Sequence, residues 1–254
     1  MPDSLKVGST VEVCVPLAPL RVAASDRAEM STQALAGERC IVQQIGTGDW
    51  IEVELVTDGY KGWTDAKQWA LPDSLSERRC LLQAPVSSWL REDGVQLELP
   101  SGSQLVLDEH DSWKLGLWTL QPLDDLDVAL GAHAKPLDAA IQFMGTPYLW
   151  GGKSLFGMDC SGLIQVTFQL MGRSVPRDAS DQSWIGETVD IQDRQAGDLA
   201  FFQNSEERVV HVGMLTSPGN IIHAAGEVRS DELTENGIVR DGIQTHTLHS
   251  IRRW

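Results

Sequence analysis

The sequence predicts an α+β chain in which two small all-β segments precede a segment that mixes a buried helix with strands. Two observations predict it. Between Arg39 and Thr64, short alternating stretches follow one another with glycine-bearing turns between them. From about residue 126 the pattern changes, and an apolar helical run is followed by several β-rich runs.

Taken in order, residues 1–25 read as an irregular or short-strand lead-in, and Arg27–Leu35 as helix or loop. Arg39–Ile45 is a strand, and Gly46–Asp49 a turn. Trp50–Val56 alternates, with Ile51, Val53 and Leu55 on one face. Asp58-Gly59 is a hairpin turn, from which Tyr60–Thr64 returns. A second and weaker β region runs from Leu71 to Pro122, with Val95–Leu99 and Gln104–Leu107 as strands around the turn Pro100–Ser103. The acidic stretch Pro122–Asp127 reads as a solvated linker.

Beyond it, Pro136–Met144 has proline at a favourable first helical position, an apolar face of Leu137, Ala140, Ile141 and Met144, and Gly145 to end it. Cys160–Met171 is apolar on nearly all sides, which predicts a buried helix with Asp159 as N-cap and Gly172 as terminator. Strands follow at Asp198–Phe202, Val209–Leu215 and Asn220–Ala224, and the last two form a hairpin through Thr216–Gly219. The tail from Ile238 to Trp254 ends in a further strand. The expected domains are 1–70, 71–125 and 126–254.

The chain has 254 residues, 42% of them hydrophobic, enough for a substantial core. With 20 Lys and Arg against 36 Asp and Glu, the net charge is −16. That excess disfavours nucleic acid and anionic membrane surfaces as partners. Cys14, Cys40, Cys80 and Cys160 are widely spaced without a C-x-x-C pair, so reduced thiols are expected rather than a zinc site or disulfide scaffold. The run Val11–Ala24 is broken by Glu12, Pro16, Pro19 and Arg21, and Asp3 removes the positive start of a secretory signal. No stretch approaches the about 18 apolar residues of a membrane span. A cytoplasmic protein is the expectation.

One cysteine stands where chemistry is possible. Cys160 opens a helix after a glycine-rich approach, and orphan N–H groups with the helix dipole favour a thiolate there. The alternative is a buried structural thiol, the reading given to Cys14, Cys40 and Cys80. A nucleophilic thiol needs a base, and the base an orienting group. The 209–224 hairpin offers both. A turn centred on Pro218 sets Gly213 opposite His223, and His211 shares their face. Either this register or one shifted by two lets one imidazole touch the other, whereas a one-residue slip separates them. A metal is the competing use for paired histidines, but no H-E-x-x-H or matching carboxylate spacing accompanies them. His110, His133, His246 and His249 are read as surface or structural residues. No phosphate loop is present at Gly151-Gly152.

The ordered motifs Pro147-Tyr-Leu-Trp-Gly-Gly152, Gly157-Met-Asp-Cys-Ser-Gly-Leu163, Val175-Pro-Arg-Asp178, Gly197-Asp-Leu-Ala-Phe-Phe202, His211-Val-Gly213 and Ile222-His-Ala224 resemble the NlpC/P60 family of papain-like cysteine peptidases. Thr32–Glu38 and Asp58-Gly-Tyr-Lys-Gly-Trp63 resemble the first of two bacterial SH3-like domains found before the peptidase in one subgroup. The second domain would be the degenerate one. The resemblance implies a papain-like catalytic domain behind two small SH3-like β-barrels, with Cys160 as nucleophile, His211 as base and His223 as the orienting third residue.

The subgroup cleaves the γ-D-glutamyl–diamino acid bond of murein tripeptides or tetrapeptides that carry a free N-terminal L-alanine, in cytoplasmic recycling of cell-wall peptides. Asp159 and Ser161 resemble the residues that bind the free amine, Tyr148 shapes the site near the nucleophile, and Tyr60 and Glu29 would close the groove from the first SH3-like domain. For Tyr60 the plain alternative is a core aromatic, for Glu29 a solvated acid, and for Asp159 an N-cap alone. Arg177 and Asp178 could bind substrate or pair with each other, and the structural role is the favoured expectation. No metal or organic cofactor, nucleic acid or membrane is implied, and a monomer is expected. Another papain-like amidase or acyltransferase, or a non-catalytic wall-binding protein, is the alternative.

Overall fold

A computed structural model of the chain describes residues 5–72 and 78–254. Residues 73–77, near the start of the expected second β region, lie outside the described residues. Two compact units divide at Ala132 and His133.

The N-terminal unit carries two antiparallel sheets. β1 (Thr10–Val13), β2 (Leu17–Arg21), β3 (Met30–Leu35), β4 (Arg39–Ile45), β5 (Trp50–Leu55), β6 (Lys61–Asp65) and β7 (Trp69–Ala70) run side by side in the order β3-β2-β6-β5-β4-β1-β7. Ile51, Val53 and Leu55 alternate into a core with Val11, Val13, Leu20 and Val42. Gly59, at φ 75°, takes the left-handed turn conformation that glycine adopts without cost, and β5 returns directly as β6. Residues 30–35 are a strand, not the expected helix or loop. Their backbone pairs with β2 from Leu17 to Arg21, so a tertiary partner decides the conformation of a segment with little local preference.

β8 (Arg79–Leu81), β9 (Val86–Arg91), β10 (Gln96–Pro100), β11 (Gln104–Leu107), β12 (Trp113–Leu115) and β13 (Trp118–Pro122) form the second sheet, in the order β10-β9-β13-β12-β11-β8. Its core is built on Trp89 and Trp113, whose rings meet edge to face at 5.5 Å. The short helix α1 (Leu126–Leu130) lays Leu126 and Leu130 on that core. Glu12 of β1 ties the two sheets together. Its carboxylate accepts from Arg79 Nη2 at 2.9 Å and from the Gly116 amide at 3.1 Å.

The C-terminal unit contains α2 (Pro136–Ile141), the small pair β14 (Lys153–Ser154) and β15 (Gly157–Met158), α3 (Cys160–Leu170) and α4 (Ala179–Gln182). Then come β16 (Glu187–Thr188), β17 (Leu199–Gln203), β18 (Val209–Ser217), β19 (Asn220–Ala225), β20 (Glu227–Leu233), β21 (Gly237–Arg240) and β22 (Ile243–Arg253). The sheet order is β16-β22-β17-β18-β19-β20-β21, and β21 pairs back onto β22. That last pairing closes β17 through β22 into a ring around Ala200, Phe202, Leu215, Ile221, Ile238 and Ile251. Helix α3 packs against β18, β19, β14 and α2, and every one of its residues is buried.

Candidate active site

Helix α3 begins where three glycines permit backbone to meet backbone. A Cβ on Gly162 would lie 2.2 Å from the Gly152 carbonyl oxygen, and one on Gly152 would lie 2.3 Å from that of Gly157. Any side chain there would push the first turn of α3 off the β14–β15 pair. Asp159, extended at φ −95° and ψ 177°, caps the helix by accepting from the Gly162 amide at 2.7 Å.

Cys160 sits at the first helical position, 6% exposed, and backbone hydrogen bonds at Val212 and Ser161 reach its sulfur. Val212 is the neighbour of His211 in β18, so the thiol is held against the histidine strand. The expectation that the helix start lowers the thiol pKa is not met. Burial first, and the Asp159 carboxylate second, push the thiol up to about 11. Desolvation of the charged form outweighs the helix dipole.

Asp159 does more than cap. Arg177 donates through Nη1 to Oδ1 at 3.0 Å and through Nη2 to Oδ2, while the Gly151 amide donates to Oδ2 at 2.8 Å. Arg177 Nη1 also reaches Ser161 Oγ at 2.8 Å, and this hydroxyl lies 3.3 Å from Oδ1. Asp159, Ser161 and Arg177 are all buried. Asp159 is thus a bidentate partner of Arg177, and the Asp178 charge, exposed at the start of α4, also acts on the guanidinium. A buried guanidinium is held by the carboxylate it meets in bidentate geometry.

Strands β18 and β19 pair with Gly213 opposite His223. His211 Nε2 lies 2.8 Å from His223 Nδ1. Burial is the first cause that holds the His211 pKa well below the usual histidine value, with repulsion from His246 and His223 next. Burial likewise pulls His223 down to about 4 against the opposing pull of Asp231. Both imidazoles are neutral at neutral pH.

Three residues of this cluster escaped the sequence reading. Asp231 of β20 places Oδ2 2.9 Å from His223 Nε2, and Arg229 Nε donates to that same oxygen at 2.9 Å. His246 of β22, read as surface or structural, stacks on His211 with ring centroids 4.2 Å apart and planes at 26°. A signal for the first two existed. A tight turn centred on Gly226 sets Arg229 opposite His223 and Asp231 opposite Ile221, by the same arithmetic that paired β18 with β19.

Tyr148 is half-buried beside Cys160. Burial, then the neighbouring Cys160 and Asp159, push its phenol up to about 12, so it remains a neutral hydrogen-bond donor. Tyr60 and Glu29 belong to the N-terminal unit. Tyr60 follows the β5–β6 turn and packs on the first core, and Glu29 is exposed in the β2–β3 loop. The other six candidates come together in the C-terminal unit.

A thiol at a helix start, faced by a strand bearing a hydrogen-bonded imidazole, defines the class of papain-like thiol hydrolases. Residues 145–251 match the NlpC/P60 family, and residues 20–68 match the bacterial dipeptidyl-peptidase Sh3 domain. The chain is 30% identical over 243 residues to a γ-D-glutamyl-L-lysine dipeptidyl-peptidase of Bacillus subtilis (strain 168), covering 88% of this chain and 81% of that one. A protein of the same name from Bacillus cereus is 29% identical over 241 residues, covering 81% and 70%. A crystal structure of an NlpC/P60 family protein from Bacillus cereus superposes with a TM-score of 0.79 at 24% identity, over 96% of this chain and 99% of that one, a likeness of fold. The chain belongs to the NlpC/P60 family of cysteine peptidases, with an SH3-like barrel domain in its N-terminal half. Among the described residues, no helix is long and apolar enough to cross a membrane.

Proposed function

We propose that the protein is a cysteine endopeptidase that cuts the γ-D-glutamyl–diamino acid bond of murein tripeptides or tetrapeptides with a free N-terminal L-alanine, in cytoplasmic recycling of cell-wall peptides. The 2.8 Å contact between His211 and His223, on the strand against which Cys160 is held, carries the catalytic half of this reading. The names of the relatives from Bacillus subtilis and Bacillus cereus support the substrate half.

In the proposed reaction the Cys160 proton passes to Nδ1 of His211, the nitrogen not engaged by His223, as the sulfur bonds to the γ-glutamyl carbonyl carbon. The backbone N–H at the start of α3 and the neutral Tyr148 phenol are donors for the oxyanion. His211 returns the proton to the leaving amine as the C–N bond breaks. Water then hydrolyses the thioester and releases L-Ala-D-Glu. Both starting groups are neutral, so proton transfer accompanies sulfur attack.

Asp159 and Ser161 form the polar end of the groove. The Asp159 charge is balanced by Arg177, so its pull on a substrate ammonium is shared with the guanidinium. Tyr60 and Glu29 are proposed to complete the amine end.

The test is incubation with L-Ala-γ-D-Glu-diaminopimelate and its lysine counterpart, with free diamino acid as the readout. Release by the native chain and none by a folded Cys160→Ala variant is expected. N-acetylation of the alanine should abolish cleavage; equal cleavage of the capped peptide overturns the free-amine assignment. Binding of intact murein by the Cys160→Ala variant, with no peptide turnover by the native chain, would identify a wall-binding module instead.

A further inference from the structure

The histidine pair has an ambiguity of its own. Two neutral imidazoles joined by one N–H···N bond can place that proton on either ring. If it sits on His223 Nδ1, His211 Nε2 is an acceptor and its proton lies on Nδ1. That nitrogen then cannot take the thiol proton. Only the other arrangement makes His211 a base toward Cys160.

We propose that Asp231 is the positioning residue that resolves this ambiguity, fixing through His223 the tautomer of His211 whose Nδ1 is free of a proton. The inference rests on the catalytic roles proposed above for Cys160, His211 and His223. Asp231 Oδ2 accepts from Arg229 Nε at 2.9 Å and stands 2.9 Å from His223 Nε2. An ionised carboxylate only accepts, so His223 must carry its proton on Nε2. A neutral His223 then has a bare Nδ1, which accepts from His211 Nε2–H at 2.8 Å. His211 Nδ1 is left as the basic nitrogen. Each step follows from the one before, and the chain of donors starts at a guanidinium that cannot reverse its direction.

Burial supports the logic. The Asp231 carboxyl is 8% exposed and His223 fully enclosed, so water has little access to substitute for either partner. Hydrogen bonds from Arg229 and His223 hold the Asp231 carboxyl below the usual range, against the opposing effect of burial, so it is ionised. Register contributes too. β20 sets Arg229 opposite His223 and Asp231 two residues further, on the same face of adjacent strands. Arg229 Nη1 is anchored on the Ala225 carbonyl, which fixes the guanidinium from its other end.

The double use of Oδ2 makes a distinctive prediction. In Asp231→Asn, Arg229 still requires an acceptor at that position, so the amide oxygen rather than its NH2 turns toward His223. The tautomer is then kept. In Asp231→Ala nothing selects it.

The test is imidazole 15N–1H correlation spectroscopy of the full chain, with no substrate, alongside peptide kinetics. In the native protein both His211 and His223 are expected to carry protons on Nε2. A proton on Nδ1 of either overturns the proposal without any variant being needed. Asp231→Ala should show an Nδ1–H population on His211 and a kcat lower by roughly ten- to a thousandfold, with KM changed less than about twofold. Asp231→Asn should keep the Nε2–H pattern and recover part of the lost kcat. An unchanged tautomer in Asp231→Ala overturns the proposal even if activity falls, because a merely structural residue would behave so. The catalytic reading fails separately: peptide turnover that survives Cys160→Ala would sink it while leaving the spectroscopic result intact.

Discussion

Arg177 and Asp159, eighteen residues apart in sequence, meet in a bidentate pair beside Cys160, with both side chains almost completely withdrawn from water. The same carboxylate caps α3, so the guanidinium holds the helix start through the residue that begins it. Removing the cation leaves a buried, unbalanced charge next to Cys160.

Arg177→Met should therefore cost about 3–5 kcal/mol of stability. Chemical denaturation of native and variant chains measures it. A loss below about 1 kcal/mol would show that Asp159 is satisfied without its partner.

The acid limb of kcat/KM should fall below the ordinary histidine value of about 6.5, because His211 resists protonation. The groups that face it are His223, His246 and the positive Arg229, with the Asp231 carboxylate behind His223. Unfolding releases these depressed imidazoles to their normal affinity for protons. The unfolded chain then binds more protons, and stability drops as pH falls from about 6.5 towards the folded values, about 4 for His223. Thermal melts between pH 7 and pH 4 should show that decline.

His246→Gln separates stacking from catalysis. A protonated His246 opposes protonation of His211, so its removal should raise the His211 pKa and move the acid limb to higher pH. A pH profile on the murein tripeptide reads the shift. A limb that stays in place would mean that His246 only fills space.

Gly162→Ala should destabilise the chain by about 1–3 kcal/mol, and alkylation of Cys160 by iodoacetamide should change with it. The added methyl meets a backbone carbonyl that has no rotamer to give. Gly145→Ala, with nothing near its missing Cβ but φ at 82°, is the control for backbone strain alone.

Glu12→Ala tests the N-terminal unit in the same way. It leaves the Gly116 amide without its carboxylate and the part-buried Arg79 charge with only the neutral Gly37 carbonyl, and a loss of about 3–5 kcal/mol is expected from denaturant unfolding of that unit.

The site was legible wherever its signal was local. Asp159 as a cap, Cys160 at a helix start and the hairpin register that joins His211 to His223 all follow from spacing within a few residues or across one turn. Asp231 was missed because the next turn, at Gly226, was not read as a hairpin although it obeys the same rule. His246 could not be found that way. It reaches His211 through β22, whose neighbours β17 and β21 are set by ring closure and not by a tight turn. The raised thiol pKa was likewise out of reach, since enclosure by distant strands decides it. Strand β3 shows the same limit in the fold, as its conformation is chosen by its partner.

The closing strand has a consequence for biosynthesis. β22 is made after every other strand of the ring, yet it lies between β17 and β21 and supplies the ring stacked on His211. A nascent chain that has already made its thiol and both hairpin imidazoles still has an open sheet with two raw edges. The ring stacked on His211 is brought in by pairings such as Ala200 with Ile251, far apart in sequence and slow to form. Enclosure of the histidine pair in this unit thus comes late, when the closing strand of the ring is translated and docks.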